Sequence, residues 1–336
     1  MSEESTAKKV GGQAVIEGVM MRSPRCLTVA VRRKNQAIVV REQPWRPVVP
    51  AKLLALPFVR GALVLVESMQ NGYAALQFSA SQYEADLPED QRSTESEGSS
   101  GAAQRLGMVL SVLLLVALPK LLAWGAGHLV GPGLSMADPR FHLLAGFFKM
   151  SIVVGMMLLM RRNDEMFRVF QYHGAEHKAI AVHEAGLPLT VENSKRFTTR
   201  HARCGTTFLM VVVLVSVAVF ALVLPLLLPH SSGLGTVLAS IVISVPLMFP
   251  IAGVAYELQR LGARYVDHPI AKLFLAPGYL VQRITTAEPS DDQVEIALVA
   301  LQQALANEAA QPMPAASEPV VRTFPSFAAF ATEQGI

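Results

Sequence analysis

Four stretches of this chain, residues 106–124, 141–160, 206–228 and 236–255, are apolar almost throughout. Each is close to the roughly 20 residues that a helix needs to cross a bilayer at about 1.5 Å per residue. Lipid offers no water to backbone amides, so a run of this length that enters a membrane closes its hydrogen bonds internally as a helix. The stretches come in pairs. Residues 125–140, with glycine, proline and aspartate, join the first two, and Pro229, His230, Ser231, Ser232 and Gly233 join the last two, which reads as two transmembrane hairpins. Of the 336 residues, 51 % are hydrophobic and only 16 % charged, too apolar a balance for an ordinary soluble protein.

Loop charge sets the expected orientation. Thirteen lysines and arginines precede the first stretch and eight lie between the second and third, while Arg260, Arg264, Lys272 and Arg283 soon follow the fourth. The two opposite loops hold Arg140 alone. Cationic loops resist translocation, so both termini and the central loop are expected in the cytoplasm, with the chain multi-pass. Cys26 and Cys204 then face a reducing compartment, which argues against a structural disulfide. The formal charge of +3 is ordinary beside anionic lipid and indicates no nucleic acid.

The expected fold is mainly α: a polytopic membrane protein with four transmembrane helices, an interfacial or re-entrant helix and a small N-terminal cytoplasmic β-hairpin. Residues 1–52 are glycine-rich, and their β-type runs 27–31 and 37–40 suit that hairpin. The glycines show neither dinucleotide nor P-loop spacing and suit turns or close packing. Residues 53–80 carry Arg60, Glu67, Gln70 and Asn71, too polar for a fifth crossing; Arg60, Glu67 and Asn71 share one helical face, as an interfacial or re-entrant helix requires. Residues 81–104, rich in Ser, Glu, Asp and Gly, read as a flexible linker. The first hairpin occupies 105–160, a cytoplasmic His/Glu/Cys loop 161–205, and the second hairpin 206–255. In the cytoplasmic region 256–308, Ser290 and Gln293 have capping-box spacing, and Val294, Ala297, Leu298, Leu301 and Leu305 mark one face of an amphipathic helix. The tail, 309–336, lacks periodicity and is expected to be disordered.

The central loop contains FQYHGAEHK at 170–178. In a helix, His173 and His177 fall one turn apart on one face, where both imidazoles can reach one cation, with Glu176 at its edge. The order H-x-x-E-H is that of inverted zinc-protease helices, whose carboxylate acts on water. Five residues alone are a weak signal. Four histidines share this loop, however (His173, His177, His183 and His201), together with Glu184, Glu192 and Cys204. His201 and Cys204 are the candidates to complete a divalent metal site, zinc foremost. A closed four-ligand shell would be structural, whereas catalysis keeps a position open. Glu184 shares the histidine face but lies too far along the helix axis to join the same ion. Lys149, midway along the second stretch, has no acidic partner in the apolar runs, and intramembrane cations are costly and often functional. Glu257, just past the fourth stretch, is a further ligand or, more simply, the partner of a basic residue.

Several runs in one order carry a family resemblance: GGQAVIEGVMMR at 11–22, Arg60 with Gly61, FQYHGAEHK, LTVEN at 189–193, RCGT at 203–206, Tyr256 with Glu257, Pro277 with Gly278, and QRITTAEP at 282–289. Over about residues 10–304 the chain closely resembles the YqhQ-like bacterial membrane proteins, a domain of unknown function whose members are regarded by analogy as metal-dependent enzymes. Ala202 departs from the proline expected between His201 and Arg203 and leaves the ligand candidates intact. The resemblance gives weight to Glu17, Arg60, Lys178, Glu192 and Glu257 and implies no substrate. The leading expectation is a cytoplasm-facing metal-dependent hydrolase in which His173 and His177 bind the ion, His201 or Cys204 completes the shell, and Glu176 is the base. The alternative is a non-enzymatic membrane scaffold or assembly factor with a structural metal site, its hairpin, linker and tail binding a membrane or cytoplasmic protein partner. A transporter, resting on Lys149, ranks third.

Overall fold

The computed structural model describes residues 10–45, 51–88, 106–107, 109–130, 133–135, 137–228, 233–310 and 318–334. The strands are β1 (Gly11–Val15), β2 (Gly18–Arg22), β3 (Cys26–Arg32), β4 (Ile38–Pro44) and β5 (Val320–Phe324). The helices are α1 (Val59–Ala85), α2 (Val109–Leu129), α3 (Pro139–Met160), α4 (Asp164–Glu184), α5 (Gly205–Leu227), α6 (Leu234–Arg264), α7 (Pro269–Thr285), α8 (Asp291–Ala309) and α9 (Phe327–Gln334).

The expected hairpin is present as β3 and β4, with Val29 opposite Arg41 and Val31 opposite Val39. It is not a hairpin alone. It forms the middle of a five-stranded antiparallel sheet ordered β1-β2-β3-β4-β5. The first added pair turns on Ile16 and Glu17, and Glu17 takes the left-handed backbone (φ 50°) that a tight turn demands. The last strand corrects the expectation of a disordered tail: Val320–Phe324 pairs with Ile38–Glu42, and α9 packs Phe330 beneath it. Pairing so distant in sequence leaves no local signal beyond a five-residue β-branched run. Of the expected linker, residues 81–85 are the last turn of α1, and 89–104 lie outside the described residues.

Both faces of the sheet are covered, so β3 is buried along almost its whole length. Ala75 and Phe78 of α1 pack on Val15, Leu27, Val29 and Val31. On the other face, Tyr172, Ala175 and Ala179 of α4 and Ala297, Leu298 and Leu301 of α8 meet Val19, Met21, Ala30, Ile38 and Val40. The capping box of α8 forms as expected, the Ser290 N–H donating to Gln293 Oε1 at 3.0 Å. Its single apolar face does not hold: Ile296, Val299, Ala300 and Ala304 are buried as well, because sheet, α4 and α9 enclose the helix. The region before it contains α7, a helix outside the expected elements.

The helices α2, α3, α5 and α6 are each long and apolar enough to cross a membrane. Leu222 (71 %), Leu226 (80 %) and Val242 (71 %) are largely exposed on their outer sides. Apolar surface of that extent suits a lipid bilayer and not water. The last helix of the four runs past the expected end at residue 255 to Arg264, carrying Glu257 to a salt bridge with Arg60 of α1 at 2.5 Å. Thus α1 is anchored to α6 at its start and to the sheet further along.

Candidate metal centre

The site is built on α4. Asn163 caps its start, its side chain accepting the Met166 N–H at 2.9 Å, and Asp164 and Glu165 complement the dipole in the first turn. Tyr172, Ala175 and Ala179 face the sheet, which turns His173 and His177 toward the start of α5 and the segment after α7. That segment passes against the helix at Gly174, where a Cβ would lie 2.1 Å from the Ala287 carbonyl oxygen, so no larger residue fits. The Ala287 N–H in turn donates to the Phe170 carbonyl at 2.9 Å.

Two backbone carbonyls fix the histidines. His173 Nδ1–H donates to Thr285 O at 2.8 Å and His177 Nδ1–H to Thr199 O at 2.6 Å. Each ring thereby keeps its Nε2 free of the backbone, with ring centroids 4.4 Å apart. Cys204 completes the group, its Sγ 3.2 Å from His173 Nε2. One donor atom from each of His173, His177 and Cys204 lies within 4.8 Å of the others; His177 and Cys204 are buried and His173 half-buried. The sulfur sits at the N-cap of α5, facing the Thr206 N–H at 3.4 Å, where the helix dipole favours a thiolate. Gln259 of α6 holds the Cys204 carbonyl at 3.0 Å, and Gln282 of α7 bonds both backbone groups of His201, at 2.9 and 2.8 Å.

The charges support one another. Burial alone would lower the His173 imidazolium, but the Cys204 sulfur and Glu176 outweigh it and push His173 up to about 9. Burial raises the Cys204 thiol, yet His173 and His177 overcome that and hold it well below the usual thiol range. Burial pushes the Glu176 carboxyl up against the pull of the two imidazoles. Glu176 is pressed into place by β1: a Cβ on Gly12 would lie 2.8 Å from its Cγ, so only glycine allows the strand this close. Among the described residues six buried side-chain atoms lack a hydrogen-bond partner, and two of them, Glu176 Oε2 and His177 Nε2, lie at this site. Buried polar atoms are almost always paired, and two neighbours left unpaired mark a place for a ligand. Two imidazole nitrogens and a thiolate are donors that Zn2+ takes, and a three-residue set leaves a coordination position open. The orienting carbonyls are the outer partners that metal-bound histidines use. The residues therefore fit a divalent cation.

His201 stands at the rim, its ring 5.7 Å from that of His177 and its Nε2 3.2 Å from Glu184. Glu184 also pairs with Arg203; burial would raise its carboxyl, but these partners hold it below the usual range. Of the two candidates to complete the site, the three-residue group contains Cys204 and not His201. Lys178 turns away to pair with Glu288, and Glu192 is exposed in the short turn Val191–Ser194. Glu17 docks the β1–β2 turn on α4, accepting both Arg168 Nε and Nη2 at 2.5 Å and the Tyr172 hydroxyl at 3.2 Å. Glu67 is buried, with Asn71 bonded to its carbonyl at 2.8 Å. Lys149 bonds Ser216 Oγ at 3.1 Å within the four apolar helices. Sequence reasoning passed over Arg168, Gln259 and the Thr199 and Thr285 carbonyls. A backbone acceptor leaves no signature in residue type, and Gln259 has a visible spacing only once α6 is known to continue beyond residue 255.

Fold and site together define a multi-pass, membrane-competent protein with a His-His-Cys cluster at the sheet-bearing end of its four apolar helices. Residues 56–307 match the family described as Protein of unknown function (DUF1385), and the chain belongs to that family. It is 32 % identical over 319 residues to the Uncharacterized protein YqhQ of Bacillus subtilis (strain 168), covering 92 % of this chain and 96 % of that relative. No solved structure matches.

Proposed function

We propose that this is an integral protein of the bacterial cytoplasmic membrane whose His173, His177 and Cys204 hold a divalent cation, zinc foremost, for hydrolysis on the cytoplasmic side, with Glu176 carrying the proton. The observation that carries this reading is the pair of buried, unpartnered atoms, Glu176 Oε2 and His177 Nε2, beside a thiol held low.

Sidedness draws on the sheet. Its strands come from before the first apolar helix and after the last, so both flanks share one side of the membrane and the crossings are even in number. The lysine and arginine excess on that side supports its assignment to the cytoplasm. At the same end α7 exposes Ile270 (72 %) and Leu273 (77 %), and Phe58 just before α1 and Val66 and Met69 within it are exposed too, which suits helices lying at headgroup level and not re-entering the bilayer. Cysteines placed at Ser135 and Ser232 should label from outside intact cells, and those at Asn35, Glu192 and Ile270 should not. The two native cysteines are buried and give little background. External labelling at 192 would overturn the arrangement.

A cation held here supplies Lewis acidity toward water and toward a carbonyl or phosphoryl oxygen. The chain's own groups do the rest. By donating Nδ1–H to Thr285 and Thr199, the histidines keep both Nε2 lone pairs directed inward. Glu176 Oε2 accepts the proton of an attacking water and returns it to the leaving group, and a carboxyl raised by burial is suited to both steps. Burial of His177 and Cys204 equally suits the rival reading, a scaffold with a structural metal.

Glu176→Gln separates the two. On the hydrolase reading the variant keeps metal, abundance and insertion yet complements a deletion strain no better than an empty vector. Full complementation by a metal-replete Glu176→Gln protein would leave the scaffold in front.

A further inference from the structure

A cavity of about 1250 Å3 lies between β1 and β2, the first half of α1 and the cytoplasmic end of α6. Its lining carries five arginines against two glutamates. Arg60 and Glu257 neutralise each other at 2.5 Å. Arg22, Arg260 and Arg264 differ: among the described residues none forms a salt bridge, Glu67 acting on Arg22 and Glu257 on Arg260 only at longer range. Arg22 is half-buried, its guanidinium lying over the Trp45 ring at 3.6 Å, so its charge is partly stripped of water and is offset by Glu67 only at longer range. Arg260 and Arg264 are one turn apart where α6 leaves its apolar stretch, the level of a bilayer's headgroups.

The remaining wall is apolar, with Leu54, Val64 and Leu261. Three arginines lining one cavity, each with a planar donor fork, suit a phosphate, which offers several oxygens for paired hydrogen bonds. An apolar wall beside them, at the end of a spanning helix, suits an acyl chain on the same molecule. The cavity also borders the metal centre. Gly11 in its lining precedes Gly12, which abuts Glu176; Arg203 precedes Cys204; and Gln259 donates to the Cys204 carbonyl.

We propose that this cavity binds the phosphate of an anionic membrane lipid, gripped by Arg22, Arg260 and Arg264 with its chain along Leu54 and Leu261. Binding is independent of the metal; only the lipid's role as the compound presented to Glu176 rests on the hydrolase reading.

The test uses the full-length protein in detergent micelles, offered dioleoyl phosphatidate, dioleoyl phosphatidylcholine or inorganic phosphate, with retained lipid counted by native mass spectrometry. Phosphatidate should be retained in preference to phosphatidylcholine and should resist equimolar inorganic phosphate. The Arg260→Gln/Arg264→Gln protein should bind it about tenfold or more weakly, as loss of charge-assisted phosphate contacts predicts, at an unchanged melting temperature. Should that double variant fail to fold, Arg22→Gln reads the same loss. Equal retention of phosphatidylcholine, or wild-type binding by folded variants, overturns the proposal. Displacement by equimolar inorganic phosphate would overturn the lipid assignment in favour of a soluble phosphate compound. His173→Ala/His177→Ala should bind phosphatidate as wild type does, so a failure of the metal reading leaves this result standing.

Discussion

Two groups of largely buried polar side chains, one among the four apolar helices and one at the junction of α4 with α5, are treated differently. Within the helices, Lys120 bonds the Ser240 carbonyl at 2.9 Å and the hydroxyls of Ser240 and Ser244, Lys149 bonds Ser216, and both ammoniums lie over the Phe220 ring. Neither nitrogen lacks a partner. At the junction, equally costly groups are brought together and then left incomplete, Glu176 Oε2 and His177 Nε2 each having an unfilled bond. A buried group that finds all its partners is explained by the fold, whereas one held in position without them points to something the fold does not supply.

The largest effect expected from this contrast is His173→Ala/His177→Ala. Elemental analysis of purified protein should find metal in the wild type and almost none in the double variant, since two of three donors are gone. Equal, near-zero metal in both would erase the contrast at its source.

A smaller effect concerns pH. With His173 pushed up to about 9, the metal-free site holds a proton on that ring throughout the neutral range, and metal binding must displace it. Cys204 is held well below the usual thiol range by the two imidazoles, so its proton is the easier of the two to displace. Zinc affinity, measured by chelator competition, should therefore rise on the order of tenfold per unit between about pH 6 and about pH 8, flattening as pH passes the His173 value. A flat profile would remove His173 from the ligand set.

The smallest effect belongs to the satisfied cluster. Lys149→Met exchanges a buried, hydrogen-bonded cation for an apolar chain of similar length, a change that costs about 1 kcal/mol or less and can stabilise. Complementation should be complete and the melting temperature nearly unmoved. A loss of function as deep as that of the histidine variants would make the membrane interior a second working site and bring the transporter reading forward.

These contrasts follow how differently the parts could be read beforehand. The four spans were legible because lipid imposes one composition over some 20 residues. The histidines were legible because a helix repeats its face every fourth residue or so. Choosing Cys204 over His201 was not, since it depends on Glu184 and Gln282 holding His201 at the rim. Pro269 at the start of α7 and Pro277 within it hid that helix, whose hydrogen-bonding carbonyl at Thr285 is essential to the site. The glycines at 11 and 12 were expected to serve turns or close packing, and Gly12 serves the latter, against Glu176.

The fifth strand sets an order of events. Pairing Val320–Phe324 with β4 means that the sheet lacks its last member until all four apolar helices have been synthesised. Up to then β4 presents an open edge, the feature by which chains recruit wrong partners. Gly12, Glu176 and Cys204 all precede α5, but the Thr285 carbonyl that orients His173 follows α6, so the centre is complete only after all four apolar helices have been made. A nascent chain thus carries its membrane anchor well before it carries a finished site.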